Sequence, residues 1–402
     1  MKSYGAALAL MLAVPAHAAD CGGFPQLEVA TPPGFCAAVV ADGFKFPRGI
    51  QPLPNGDIVI VDMRNWEPGR GSIWLLKPSG GKYDRLRLLG GLDRPNGITL
   101  GPDGLLYVGL VHRIIRFDPR KPEVVEDVIG GQSGVAPLPG LGRHLLTTMR
   151  FNAQGDLYVN VGSASDHCED EKGNAPLPSQ RCAEAEGPQA LGVIRKYKMR
   201  WPQGMVASWE NYASGLRNSM ALALHPVSGA LWQADNGRDA IQAAMPKLAN
   251  DNELPHDELN LVRRGANYGW PYCYDDNRAS PEYPSAVCLK YEAPLRLLPA
   301  HAAPLGMTFY TAARYPALYK NSLIIGFHGY RDHGHRLVAL LPDNKGQPLG
   351  KMVELIGDWS HKDKQGMGAP VDIKQGPDGN VYLVEDRTGR VVRLQYTAQA
   401  PR

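Results

Sequence analysis

Along most of this chain, short runs of Val, Ile, Leu, Tyr and Trp alternate with polar turns, and one unit recurs six times. It is a turn containing Gly or Asn followed by a β-rich run: NGDIVIVD (55–62), DGLLYVGL (103–110), QGDLYVNV (154–161), SGALWQAD (228–235), NSLIIGFH (321–328) and DGNVYLVE (378–385). The copies start 48, 51, 74, 93 and 57 residues apart. Each follows another apolar run, as in FPRGIQPLPNG (46–56), RPNGITLGPDG (94–104), PLGMTFY (304–310) and APVDIKQGPDG (369–379). A polar turn between two such runs is a hairpin signal. Repeats of roughly 40–50 residues, each a few strands long, indicate a propeller, because a single blade cannot bury both faces and must stack on neighbours around an axis. The pattern therefore predicts an all-β, six-bladed β-propeller. Helical periodicity is confined to a turn or two in LPSQRCAEAE (177–186) and ARYPALYK (313–320). The long intervals 162–216 and 236–303 are expected to carry inserted covering or functional loops.

Composition narrows the setting. Gly 45 and Pro 34 suit a turn-rich chain of 402 residues, and 44% hydrophobic content is ordinary for a globular one. A formal charge of +3, with no stripe of Lys and Arg interleaved with aromatics, argues against a nucleic-acid partner. The first 18 residues, MKSYGAALALMLAVPAHA, read as a secretory signal: Lys2, an apolar middle over 6–14, and Ala16-His17-Ala18 for cleavage. That run is far short of the roughly 20 residues of a spanning helix. One propeller domain over 19–402, periplasmic or secreted and without a membrane span, is the expectation. The six cysteines form three local couples, Cys21 with Cys36, Cys168 with Cys182 and Cys273 with Cys288. In an oxidising compartment loop-closing disulfides are favoured, with neighbour pairing one of several connectivities. There is no C-x-x-C for a metal site and no C-x-x-C-H for covalent haem.

Candidate chemistry begins at Arg217 and Asn218, which stand just ahead of the apolar run 220–224. In a propeller, loops at one end of the central channel make the site. Arg offers a planar fork of donors to carboxylate or carbonyl oxygens. By themselves the two residues better suit a surface Arg beside a turn-capping Asn. A second polar cluster, Asp235-Asn236-Gly237-Arg238-Asp239, closes the next strand, and DELNLVRRGANYGWPYCY (257–274) lies beyond it.

With ASGLRNSMALALHPVSGALW, HAAPLGMTFY and FHG, these segments resemble the soluble quinoprotein sugar dehydrogenases, the glucose and L-sorbosone dehydrogenase family. VGSASDHCED, shortly after His144, is closest to the L-sorbosone-type branch. The resemblance implies a six-bladed propeller using pyrroloquinoline quinone (PQQ) and Ca2+. His144, in GRHLLTTMRFNAQGDLYV, would be the general base, taking a proton from a substrate hydroxyl while hydride leaves for the quinone. Arg217 would stabilise charge developing on the quinone oxygen, and Asn218 would touch the cofactor. Gly237 and Arg238 would hold the cofactor's calcium through their carbonyls, and Glu258 and Tyr268, with Asp257 more weakly, a second, structural calcium. His301, His328 and Arg331 are further candidates for the cofactor side. The sequence departs from the family where Ala369, in GMGAPVDI, replaces an Arg near the cofactor carboxylates, and where Leu145-Leu146-Thr147 follows His144 in place of a Gly pair.

Other residues have plainer readings. His301 is as well suited to a structural hydrogen bond as to substrate, and with no third ligand nearby His333 and His335 suit a solvated loop better than a metal. Trp232 and Trp270 suit blade packing, Asp62 and Arg64 weakly suit the channel mouth, and EDEKGN (169–174) reads as a solvated acidic loop. No G-x-S-x-G, H-E-x-x-H, Walker A or G-x-G-x-x-G motif supports a hydrolase, zincin or nucleotide-dependent reading. The expectation is an exported PQQ-dependent dehydrogenase of a sugar or sugar-derived aldehyde, passing electrons to an external acceptor, as a monomer or homodimer. A non-catalytic glycan- or protein-binding propeller and a calcium-dependent sugar lactonase remain as alternatives.

Overall fold

The computed structural model describes residues 20–397 except 176, 178 and 360–366, so the segment 1–18, expected to be a secretory signal, lies outside the described residues. Six four-stranded antiparallel sheets form the blades. Blade 1 runs Pro47–Pro52, Ile58–Asp62, Gly71–Ser79 and Lys82–Leu92, and blade 2 Ile98–Leu100, Leu106–Gly109, Ile114–Asp118 and Lys121–Ile129. Blade 3 is Met149–Phe151, Leu157–Val161, Val193–Arg200 and Met205–Ala213; blade 4 is Ala221–Leu224, Leu231–Asp235, His256–Leu261 and Arg296–Ala300. Blade 5 is Pro304–Phe309, Leu323–Phe327, Arg336–Leu340 and Met352–Ile356. Blade 6 takes Pro370–Gln375, Val381–Glu385 and Arg390–Tyr396, and closes with the N-terminal strand Phe35–Ala41. The ring is thus sealed by pairing the two ends of the chain, which leaves no blade with an unpaired inner face.

The first strands touch in a closed cycle, blade 1 to 2 and onward to 6 and back to 1. Each of the six repeated units supplies the second strand of its blade, and these strands are almost wholly buried, as in Ile58–Asp62, Leu231–Asp235 and Val381–Glu385. The long intervals carry the expected insertions and also hold the outer strands of blades 3 and 4. The inserted segments proper are 162–192, 236–255 with the 3-10 turn Ile241–Ala244, and 262–295 with the hairpin Cys273–Tyr274 and Arg278–Ala279. Both helical expectations reduce to single 3-10 turns, Ala183–Ala185 and Ala317–Tyr319. The disulfides are Cys21–Cys36, Cys168–Cys182 and Cys273–Cys288. Among the described residues no helix is long and apolar enough to cross a membrane.

Crowding at the axis explains the Pro-x-Gly motif that opens the first strands. A Cβ on Gly49 would meet the Asn96 carbonyl at 2.4 Å, one on Gly97 the Thr147 carbonyl at 2.7 Å, and one on Gly306 the Val371 carbonyl at 2.1 Å. Only glycine lets each blade approach the next this closely. The pairing register also slips at the start of the first strand in blades 1, 5 and 6, where a bulge leaves Arg48, Leu305 and the Val371-Asp372 stretch unpaired. Such bulges re-aim side chains.

Candidate active site at the channel mouth

First and second strands are antiparallel hairpin partners, so the residues before each first strand and after each second strand gather at one end of the channel. That rule collects His144, Arg217, Asn218, Gly237, Arg238, His301 and His328 at a single mouth.

His144 precedes the first strand of blade 3 and faces the end of the second. Gly162 is required there, because a Cβ would lie 2.4 Å from the His144 carbonyl. The His144 Nδ1 is 3.1 Å from the Ser163 carbonyl and 2.9 Å from Ser163 Oγ, whose own hydroxyl donates to the Ser165 carbonyl at 2.6 Å. A nitrogen facing a carbonyl must carry the proton, so Nδ1 donates and Nε2 keeps its lone pair. Among the described residues nothing bonds to that Nε2. Burial, then the charge of Arg217, pushes the imidazole down to about 3 against the opposing pull of Asp166.

Arg217 is tied to the same serine: the Ser163 amide donates to its carbonyl at 2.9 Å. Its side chain is buried and almost fully bonded. Nε and Nη2 donate to Asp166 Oδ1 at 3.0 and 2.5 Å, Nη2 also to Asp239 at 3.1 Å, and Nη1 to the Asn236 carbonyl at 3.2 Å. Burial by itself would raise Asp166; His167, Arg217 and the Asp239 amide override it and hold the carboxyl below the usual carboxylate range. Trp270, expected to be packing, also donates Nε1–H to the Asp166 carbonyl at 3.1 Å. Asp166 is the organising carboxylate on this side, and its sequence signal was only its place in VGSASDHCED.

Beneath the polar turn lies an acidic cluster. Asp235 accepts from the amides of Arg217 and Asn218, both at 2.8 Å, and burial pushes it up to about 6. Asp257 accepts from the amides of Gly237 at 2.7 Å and Ala303 at 2.6 Å, and burial pushes it up to about 7. Glu258 pairs across the sheet with Asp235; burial, then that neighbouring charge, drives it well above the carboxylate range. Asp235 and Glu258 line a cavity of about 30 Å³, together with Gly237, Arg238, His256 and Tyr268. That is room enough for a water-sized occupant. Among the described residues no group donates to the Gly237 or Arg238 carbonyls, and the buried Asn218 Oδ1 and Asn236 Oδ1 lack partners. Free carbonyl and amide oxygens beside crowded carboxylates are a donor set suited to calcium. The Arg238 guanidinium is turned away to Glu282 at 2.5 Å, and the Tyr268 hydroxyl is occupied by the Leu261 carbonyl at 2.7 Å and the Arg263 amide at 3.0 Å, which leaves backbone oxygens as what these two can offer.

Across the mouth, His328 Nε2 lies 2.9 Å from Asp386 Oδ1, and Asp386 Oδ2 is 2.5 Å from Arg48 Nη1. Arg48 Nε donates to Asn96 at 3.0 Å, and Asn96 to the Thr147 carbonyl at 3.0 Å. This chain links blades 5, 6, 1, 2 and 3. Ala369 is next to it, its carbonyl accepting from the Asp386 amide at 3.3 Å. His301 directs Nε2 to the carbonyls of Asp251 at 2.7 Å and Leu254 at 2.9 Å, and Arg331 pairs with Asp251 at 2.8 Å, so both hold the 251–254 loop. His335 is not solvated but buried, its Nδ1 2.6 Å from the Gly368 carbonyl, whereas His333 meets Glu253 at the surface. Asp62, at the end of the second strand of blade 1, caps the amides of Lys45, Phe46 and Arg64.

The family model for Glucose / Sorbosone dehydrogenase matches residues 136–393. The chain belongs to the glucose/sorbosone dehydrogenase family. This family membership is accompanied by likeness to an uncharacterised protein of Synechocystis sp., 29% identical over 417 residues, covering 92% of this chain and 89% of that one. A pyrroloquinoline quinone-dependent sugar dehydrogenase of Hypocrea jecorina is 24% identical, over 56% of this chain and 60% of its own. Among solved structures, the pyranose dehydrogenase PQQ domain from Coprinopsis cinerea matches with a TM-score of 0.68 at 18% identity, over 93% of this chain and 99% of that one. The PQQ-bound aldose sugar dehydrogenase from Streptomyces coelicolor matches at 0.57 and 19%, over 91% and 99%. At these identities the structural likenesses establish the propeller, and the family match establishes a PQQ-type sugar dehydrogenase lineage.

Proposed function

We propose that this glucose/sorbosone dehydrogenase family member is an exported oxidoreductase that oxidises a sugar or sugar-derived aldehyde with PQQ and Ca2+, with affinity to the L-sorbosone-type branch. The observation that carries the reading is the convergence of His144 and Arg217 on Ser163, beside an unfilled oxygen donor set. PQQ, when bound, supplies the two-electron acceptor, with calcium to polarise it.

The chain's own part is positioning and proton transfer. Ser163 fixes the His144 tautomer so that Nε2 can accept a proton from a substrate hydroxyl, or from the hydrate of an aldehyde. Arg217, held rigid by Asp166, supplies a fixed positive charge where negative charge develops. The carbonyls of Gly237 and Arg238 with Asn218 and Asn236 would hold one calcium; Glu258 and the Tyr268 backbone, with Asp257 behind, would hold another. His328 borders the opposite side, with His301 and Arg331 fixing the loop beside it. The three disulfides accord with export.

An absorbance titration of purified protein with PQQ, with and without calcium, followed by dye-linked oxidation of glucose and sorbosone, tests this. Calcium-dependent binding with turnover is expected. Lactone hydrolysis without quinone, or glycan binding with no affinity for PQQ, would instead support the lactonase or the non-catalytic propeller.

A further inference from the structure

The repeat sets the same polar triad at two equivalent places, and one of the two is left open. Blade 2 enters its second strand from the turn GPDG (101–104), and blade 6 from GPDG (376–379). In each, a tyrosine donates to the aspartate of the turn, Tyr107 to Asp103 at 2.8 Å and Tyr382 to Asp378 at 3.0 Å. In each, an arginine of the third strand stands in register with that tyrosine, Arg116 beside Tyr107 and Arg393 beside Tyr382. Blade 2 closes the set: Arg116 Nη1 reaches Asp103 at 3.1 Å and Tyr107 at 3.2 Å, and Nε reaches Glu126 at 2.9 Å. Blade 6 does not. Arg393 is 9% exposed, yet among the described residues it forms no ion pair with a carboxylate. Its Nη2 donates to the carbonyls of Cys21 at 3.2 Å and Gly22 at 2.9 Å, beside the Cys21–Cys36 disulfide. Nε is buried with no partner, and Nη1 has no partner among the described residues but is not sealed from solvent. Two carbonyl dipoles do not replace a counter-ion, and a buried charge without one is costly.

The space that closure would occupy is a cleft. The next blade in the ring covers each triad with its outer hairpin. Over blade 2, Gly204 of blade 3 abuts Arg116 and the Tyr107 hydroxyl with no room for a Cβ. Over blade 6, the blade 1 hairpin turns at Gly80-Gly81, and a Cβ on either would meet nothing within 4 Å. Between blades 6 and 1 this leaves about 410 Å³, lined by Arg393, Lys82, Asp378, Tyr382, Tyr83 and Phe24 among others. Small-molecule sites occupy roughly 300–1,000 Å³. The turns beside it join first to second or third to fourth strands, so the cleft lies at the end of the ring opposite the mouth. One wall is aromatic: the Phe24 and Tyr83 rings stack with centroids 5.9 Å apart, and the Arg393 guanidinium lies 4.8 Å from the Phe24 ring. Burial raises the Tyr83 phenol while Tyr382 and the charge of Arg393 pull it down, so these groups share one neighbourhood. Asp378 Oδ1 accepts from the Asn380 amide at 3.1 Å and keeps a lone pair for a hydroxyl.

We infer that the cleft between blades 6 and 1 is a second ligand site, one that takes a sugar acid. Arg393 Nη1 and the exposed Lys82 receive the carboxylate, the aromatic wall receives the ring, and Asp378 accepts from a ring hydroxyl. The ligand supplies the negative charge that Glu126 and Asp103 supply to Arg116 in blade 2. The site is separate from His144 and Arg217, and it does not depend on the chemistry proposed for them.

Calorimetric binding of glucuronate, glucose and benzoate to the full chain tests this, without PQQ or calcium. The variants are Arg393→Met, Arg393→Lys and Lys82→Glu, with thermal melts to confirm folding. Glucuronate is expected to bind more tightly than glucose, which lacks the carboxylate, and than benzoate, which lacks the hydroxyls. Loss of one charge-assisted contact predicts about 10- to 100-fold weaker glucuronate binding in Arg393→Met and a smaller loss in Arg393→Lys. Lys82→Glu changes an exposed hairpin residue, and a several-fold loss there carries the test if Arg393→Met does not fold. Glucose or benzoate binding as tightly as glucuronate overturns the sugar-acid assignment. Absence of glucuronate binding to the wild type, or binding undiminished in the folded variants, as it would be for a ligand seated at the mouth, overturns the site.

Discussion

The blade 4 side of the mouth and the blade 1 and 6 side each present a buried arginine on a carboxylate, at 2.5 Å in both cases. They differ in how completely the arginine is consumed. Arg217 is clamped by Asp166 and Asp239 and backed by the acidic cluster of Asp235, Asp257 and Glu258, so it acts as a fixed charge that tunes its neighbours. Arg48 is clamped on two nitrogens only. Residue type and burial therefore do not define a role; the count of donors left over does.

The largest effect expected belongs to His144, the proposed base. His144→Ala should lower kcat by about 10²- to 10⁴-fold with an unchanged melting temperature, since a general base contributes about that much. Dye-linked turnover by the calcium- and PQQ-loaded protein measures it, and retained turnover removes His144 from the role.

The next distinguishes the sides by stability. Asp166→Ala leaves the exposed Asp239 as the one remaining ion-pair partner of Arg217 among the described residues, and breaking a buried pair from one end costs about 3–5 kcal/mol. Removing both members on the other side, Arg48→Met with Asp386→Asn, should be close to neutral by the same principle. Denaturant unfolding of the two compares them, and equal losses would erase the distinction.

A smaller effect is on pH dependence. As the proposed base, His144 would act only when unprotonated. Burial and Arg217 place its folded pKa at about 3, so kcat/KM should stay flat as pH falls from 8 to 5 and decline only toward that value. Arg217→Gln removes a cation and leaves Asp166 to attract the proton, so the acid limb should move to higher pH. Arg48→Lys should leave the limb in place. A limb unmoved by Arg217→Gln would show that burial by itself sets the base.

The smallest effect is at the rim. The Arg331 side chain is 38% exposed, and its pair with Asp251 is worth about 1 kcal/mol or less. Arg331→Gln should change stability by no more than that in a denaturant melt, with any change in PQQ affinity arising through the 251–254 loop.

The repeat itself held a signal for the missed side. Pro47-Arg48-Gly49-Ile50 and Pro95-Asn96-Gly97-Ile98 share one pattern, and at the matching position blade 5 has Leu305 and blade 6 Val371. A polar residue in two copies of a motif that is elsewhere apolar marks the hydrogen-bonded chain across the mouth. Asp166 and Asp386 gave no such mark, because a carboxylate in a loop looks solvated until its partner, 51 or 338 residues away, is known.

What the sequence by itself determined is the architecture and the composition of the site. Turn chemistry and β-rich runs are local properties, so six repeats fix six hairpins, and stacking them has one common solution. Tertiary structure alone decided which charges meet. Closure of the ring brings Arg48 to Asp386, Arg217 to Asp166 and His144 to Ser163, and only that proximity, with burial from water, settles which nitrogen keeps a lone pair and which guanidinium keeps a free edge.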